Sequence, residues 1–115
     1  MLLHVCKSKI HRATITKKEL HYSGSIGIDS RLLEAAGLVP NEKVQVVNLN
    51  NGKRFETYCL VEKEGSGTIS LYGPAARLGE PGDPVIIISY AMMEPAEARD
   101  HKVKLVHVDK DNMVI

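Results

Sequence analysis

Apolar positions fall mostly at intervals of two along this chain, and the pattern reads as strands. Leu2–Thr16 alternates loosely and ends in the β-rich Ala13-Thr14-Ile15-Thr16, which predicts a long first strand with Lys7, Lys9 and His11 on one face. A turn near Lys17–Glu19 leads to Leu20–Tyr22, and Ser23-Gly24-Ser25 breaks the run. Ile26 and Ile28 mark a short strand. Asp29 is a good N-cap for a helix over Ser30–Ala36, with Leu32, Leu33 and Ala36 as its apolar stripe and Gly37 as its stop. Lys43–Leu49 alternates again, and Asn51-Gly52 is a strong hairpin turn into Arg54–Glu62. Beyond the Gly65-Ser66-Gly67 loop come a strand at Thr68–Tyr72, a helical turn at Gly73–Leu78 and a buried strand at Pro84–Tyr90. Glu94-Pro95 opens a short helix, and Lys102–Val108 with Met113–Ile115 forms a terminal hairpin. About seven short strands with one or two helices predict a small β-barrel rather than a βαβ stack.

Composition narrows the classes. The 115 residues suit a single domain, with 43% apolar and 25% charged residues, as in an ordinary globular chain. No apolar run approaches membrane-spanning length, and the start has no long apolar segment of the signal-peptide kind. Cys6 and Cys59 stand far apart without a CxxC, so reduced, packed thiols are expected. The net charge of +1 and the scarcity of aromatic residues argue against a nucleic-acid surface. The charge is nonetheless lopsided: residues 1–24 hold five bases and one acid, and the remainder ten bases and thirteen acids.

The usual chemical motifs are missing. There is no P-loop, no dinucleotide fingerprint, no HExxH and no Cys/His cluster at zinc spacing, so no metal site is expected. One segment can do chemistry on itself. In Gly24-Ser25 the serine hydroxyl can reach the preceding carbonyl carbon, and glycine crowds that carbon least and tolerates strained backbone. An N→O acyl shift followed by elimination would leave dehydroalanine, which hydrolyses to a pyruvoyl group able to form a Schiff base and act as an electron sink. On these two residues alone an ordinary turn is the better reading.

A wider pattern changes that balance. Lys7-Ser8-Lys9-Ile10-His11-Arg12-Ala13-Thr14, followed by Leu20-His21-Tyr22-Ser23-Gly24-Ser25, resembles the amino end of the pyruvoyl-dependent aspartate 1-decarboxylases. Ile28-Asp29, Leu33-Glu34-Ala35-Ala36-Gly37, Asn51-Gly52-Lys53-Arg54-Phe55-Glu56-Thr57-Tyr58, Gly65-Ser66-Gly67, Gly73 with Ala75-Ala76 and Pro81-Gly82-Asp83 continue the likeness over essentially the whole chain.

The resemblance implies a six- to seven-stranded double-psi β-barrel with one or two short helices. It also implies a cytoplasmic homotetramer with sites between protomers. The single domain 1–115 would be a zymogen that cuts itself between residues 24 and 25, giving a β chain, 1–24, and an α chain, 25–115. The reaction implied is decarboxylation of L-aspartate to β-alanine and CO2 for pantothenate synthesis. By resemblance, Ser25 becomes the pyruvoyl group, Gly24 the new carboxyl end, Thr57 polarises the scissile carbonyl and Tyr58 is the proton donor. Lys9 and Arg54 would hold the substrate carboxylates, with Gly73 and Ala75 lining the site and His11, Tyr22 and Tyr72 supporting it. Arg suits a bidentate carboxylate clamp and Lys a point charge, which fits a dianionic substrate.

The chain departs from the family at Tyr72-Gly73-Pro74-Ala75-Ala76, where Asn-Gly-Ala-Ala-Ala is common, and Arg77 stands where histidine is frequent. Tyr72 is expected to hydrogen-bond near the pyruvoyl group in place of that asparagine. Two alternatives stay open: an unprocessed barrel serving as a non-catalytic binding or regulatory module, and a pyruvoyl decarboxylase for another acidic amino acid. A processing factor is an allowed partner; nucleic acid and membrane are not expected.

Overall fold

The computed structural model describes all 115 residues. In chain order the elements are β1 (Leu3–Thr14), β2 (Lys17–Glu19), β3 (Ser25–Asp29), α1 (Ser30–Ala36), β4 (Lys43–Asn48), β5 (Arg54–Glu62), β6 (Ile69–Tyr72), a 3-10 helix (Gly73–Arg77), β7 (Pro84–Met93), α2 (Pro95–Asp100) and β8 (Lys104–His107). The strands run in the order β2-β6-β3-β5-β4-β7-β1-β8 and wrap one core as a small barrel, the mainly β class expected. Eight strands form rather than six or seven. The addition is β2, where the sequence predicts a turn: its three residues are exposed and show no periodicity, and they become a strand only by pairing in parallel with β6, Lys17 against Ser70 and Glu19 against Tyr72. Leu20–Tyr22 is a turn instead. β7 runs on to Met93 because the amino end of β1 pairs with it, Leu3 against Met93.

The core is built from the inward residues of almost every strand. Ile10, Ile26, Ile28, Val46, Ile69, Leu71 and Ile87 are essentially fully buried, each stabilising the fold by about 1.5–3 kcal/mol relative to exposure. Register shifts break β1 between Cys6 and Ser8 and between Ile10 and Ala13, with Arg12 at φ +62° in the second, the mark of β-bulges. The face expected to carry Lys7, Lys9 and His11 together is therefore interrupted. Lys7 leaves the ladder, and its Nζ donates to Glu42 Oε2 (2.8 Å) and the Gly37 carbonyl (3.0 Å).

Two features of the fold set the position of β3. β5 changes partners halfway: Arg54–Tyr58 pairs antiparallel with β4, and Cys59–Glu62 pairs parallel with β3, Cys59 opposite Ile26. The far end of β3 is anchored by Asp29, which caps α1 as the sequence predicts. Its buried carboxylate accepts from the backbone N–H of Arg31 (2.9 Å), Gly65 (3.0 Å) and Gly67 (2.8 Å). Burial alone would push this carboxyl up; the three N–H donors and the Arg31 charge hold it below its ordinary value.

Candidate active site

Ser25 is the first residue of β3, its Cα opposite that of Tyr72 on β6. Its side chain is completely buried, and its Oγ has no hydrogen-bond partner. A buried hydroxyl left unpaired costs about 1–3 kcal/mol; Ser8 and Ser70 share this condition, and what sets Ser25 apart is the glycine before it. Gly24, just before it, lies against the start of the 3-10 helix. A Cβ at Gly24 would sit 3.4 Å from Pro74 Cδ. The fit is tighter from the other side: Gly73 has φ +65°, and a Cβ there would come within 2.7 Å of Gly24 Cα, 2.8 Å of Gly24 N and 2.9 Å of the Tyr22 carbonyl oxygen. Gly73 is thus the floor on which the segment leading into Ser25 rests, and no larger residue fits.

The neighbouring strands complete one face. Because Cys59 pairs with Ile26, Tyr58 falls level with Ser25 and on the same side of the sheet, exposed at the corner where β5 changes partners. Thr57, one residue earlier, projects to the opposite side, that of Cys59 and Phe55. Tyr72 lies across β3 from these residues. Its ring packs on Tyr22, with centroids 4.8 Å apart, and the Lys17 ammonium is 5.9 Å from the ring centre. The Tyr72 hydroxyl, expected beside Ser25, is turned away and donates to Glu62 Oε2 at 2.5 Å. Gly27 makes this reach feasible: a Cβ there would overlap the Glu62 carboxylate. Burial, and then the hydrogen bond to Glu62, push the Tyr72 phenol above its ordinary pKa, so it stays a donor at neutral pH.

Other residues singled out by sequence lie apart within one chain. Arg54 is on β5 with Tyr58, but four residues away, about 13 Å along a strand; its guanidinium donates to Gln45 Oε1 at 3.0 Å. Lys9 and His11 are on β1, four strand positions from β3 in the sheet order. The His11 ring meets His107 edge-on at 5.7 Å. Lys9 and Arg54, like most of the fifteen lysines and arginines, are in no salt bridge; only Lys7, Lys18 and Lys43 pair with a glutamate. Ala75 is buried, and its methyl belongs to the core. One chain therefore joins Tyr22, Gly24, Ser25, Tyr58, Tyr72 and Gly73, and leaves the two cations on other walls.

Glu62 and Gly27 are site residues that sequence reasoning missed. An isolated glycine between Ile26 and Ile28 was the available signal, since such a glycine in a strand marks a close approach by another group.

The match to known proteins covers the same ground. Residues 1–115 match the family model described as aspartate decarboxylase. The chain is 62% identical over 112 residues to the aspartate 1-decarboxylase of Chloroherpeton thalassium, spanning 97% of this chain and 82% of that protein. It is 58% identical to that of Pelotomaculum thermopropionicum and 56% to that of Caldicellulosiruptor saccharolyticus, in each case over all of this chain and 87% and 90% of the relative. With family and relatives matched from the first strand to the last, the chain belongs to the aspartate decarboxylase family.

Proposed function

We propose that this chain is a precursor that cuts its own Gly24–Ser25 peptide, and that the product decarboxylates L-aspartate to β-alanine and CO2, a step supplying pantothenate synthesis. The observation that carries the reading is the buried, unpartnered Ser25 Oγ beside a glycine seated on Gly73. Ser25 Oγ attacks the Gly24 carbonyl carbon. A C–O bond forms, the C–N bond breaks and the hydroxyl proton passes to the Ser25 nitrogen, leaving an ester. Loss of the Ser25 Cα proton then expels the Gly24 carboxylate, and entry of water with release of ammonia leaves a pyruvoyl group at the start of residues 25–115. Thr57, expected to polarise the scissile carbonyl, faces away from Ser25 within one chain and takes no part in this scheme.

A pyruvoyl group supplies an electrophilic carbonyl for the substrate amine and an electron sink for decarboxylation. The residues around Ser25 fit it: an orphaned hydroxyl and a glycine floor. Lys9 and Arg54, which no carboxylate neutralises, hold the two substrate carboxylates. Tyr58 returns a proton to the substrate carbon. Their separation within one chain supports a site completed between protomers of a homotetramer. Since Ser25 is closed off in the uncut chain, cleavage also opens the site, by freeing the segment that ends at Gly24.

Intact-mass measurement tests the reading. Incubation should yield residues 1–24 and 25–115, together about 1 Da heavier than the precursor because water enters and ammonia leaves. A chain that stays whole with an ordinary Ser25 overturns it.

A further inference from the structure

Tyr72 and Glu62 stand on β6 and β5, and β3 runs between those strands. Their hydrogen bond therefore passes over β3, through the notch left by Gly27. The Tyr72 side chain starts directly opposite Ser25, the only residue of β6 that does so; Ser70, two positions earlier, faces Gly27. Yet its hydroxyl ends on Glu62, with the Ser70 side chain beside it, and Ser25 Oγ, like Ser70 Oγ, is left with no partner. A buried unpaired hydroxyl and a phenol rooted across from it would ordinarily pair, since each gains a hydrogen bond. Glu62 prevents this by offering the phenol a charged acceptor, the stronger of the two.

We propose that Glu62 is a positioning residue for self-cleavage: by holding the Tyr72 phenol over Gly27 it keeps that hydroxyl off Ser25 Oγ and leaves the nucleophile free to attack Gly24. The inference rests on the self-cleavage reading above. It assigns a role to a carboxylate that otherwise has none, and it accounts for three residues together. Glycine at 27 makes the space, Glu62 fills it, and Tyr72 is restrained by it, with the Tyr22 ring stacked against the phenol on another side. In the attack itself the Oγ–C bond forms, the C–N bond breaks and the serine proton goes to the departing nitrogen. A phenol hydrogen-bonded to Oγ stabilises the uncut state and must be displaced first.

The test is a time course of cleavage by intact mass, with thermal melting as a check on folding. Glu62→Ala is expected to slow cleavage by roughly two- to tenfold, the effect of adding one ground-state hydrogen bond to the nucleophile. Glu62→Leu keeps the bulk, loses the acceptor and should slow it likewise, should the alanine variant fold poorly. Glu62→Gln retains an acceptor oxygen and should cut at close to the parental rate. The decisive variant is the double substitution Glu62→Ala with Tyr72→Phe. With no phenol hydroxyl to capture Ser25, it should cut as fast as Tyr72→Phe alone. A purely structural loss at Glu62 would persist in the double variant. Parental rates in Glu62→Ala and Glu62→Leu, or a double variant as slow as Glu62→Ala, overturn the proposal while leaving self-cleavage intact. A parent that never cuts overturns both.

Discussion

Gly73→Ala measures how firmly the segment before Ser25 is held. The substitution meets two penalties. At φ +65° a residue with a Cβ occupies the left-handed region, which costs about 1–2 kcal/mol. The new methyl would also lie 2.7 Å from Gly24 Cα, whereas ordinary contact begins at 3.4 Å, so the two backbones must separate by at least the 0.7 Å between those values. Overpacking of this kind costs about 1–3 kcal/mol. Together they remove roughly 2–5 kcal/mol from a domain whose whole stability is about 5–15 kcal/mol. If the strain is kept, the melting temperature falls by roughly 8–20 °C. If it is relieved by moving Gly24, the scissile carbonyl is displaced from Ser25, and a shift approaching 1 Å slows an oriented reaction by about a hundredfold. Calorimetry and a mass time course on one sample read both outcomes. Gly37→Ala is the control: Gly37 has φ +69°, and a methyl added there would meet nothing within 4 Å, so it should lose about 1 kcal/mol and cut normally. A Gly73→Ala chain that melts with the parent and cuts at its rate would refute the floor assigned to Gly73.

Three further outcomes are expected. Asp29→Ala strips an acceptor from three backbone N–H groups and should lower stability by about 3–5 kcal/mol, read as a fall in the urea midpoint. Because the folded Asp29 carboxyl lies below its ordinary value, its contribution is complete above the unfolded pKa, about 3.9, and fades as pH falls through the lower folded one. The parent should therefore lose more stability below about pH 4 than Asp29→Asn does, and equal acid slopes would contradict this. Cys59 is fully buried and burial raises its thiol pKa, so a thiol reagent should modify only Cys6 until denaturant is added; two thiols reacting at once in the native protein would count against the packing described. Tyr58→Phe and Arg54→Ala chains, each impaired alone, should regain activity when refolded together if the site is shared between protomers, and no recovery would assign the whole site to one chain.

Much of the local structure was legible because it depends on neighbours in sequence. Asp29 and Gly37 bracket α1 as its caps, and Gly52, at φ +73°, turns the hairpin between β4 and β5. Glu94 precedes α2, with proline at its start. The period of two separated the buried Val44 and Val46 from the more exposed Gln45 between them. Gly24-Ser25 was favoured as a reactive pair, and Tyr58 singled out, only through the family resemblance; the register between β3 and β5 then places Tyr58 level with Ser25.

What sequence alone could not decide is whatever depends on partners distant along the chain. Lys17–Glu19 is a strand because β6 lies beside it, and Lys7 serves Glu42 because β1 bulges there. Tyr72 could be seen to replace a smaller amide, but its hydroxyl was expected at Ser25. Its direction was settled by a glycine and a glutamate on two other strands, through the space that Gly27 leaves open. Side-chain direction in a barrel is set by the register between strands, and register is a property of pairing across the sheet rather than of any one segment.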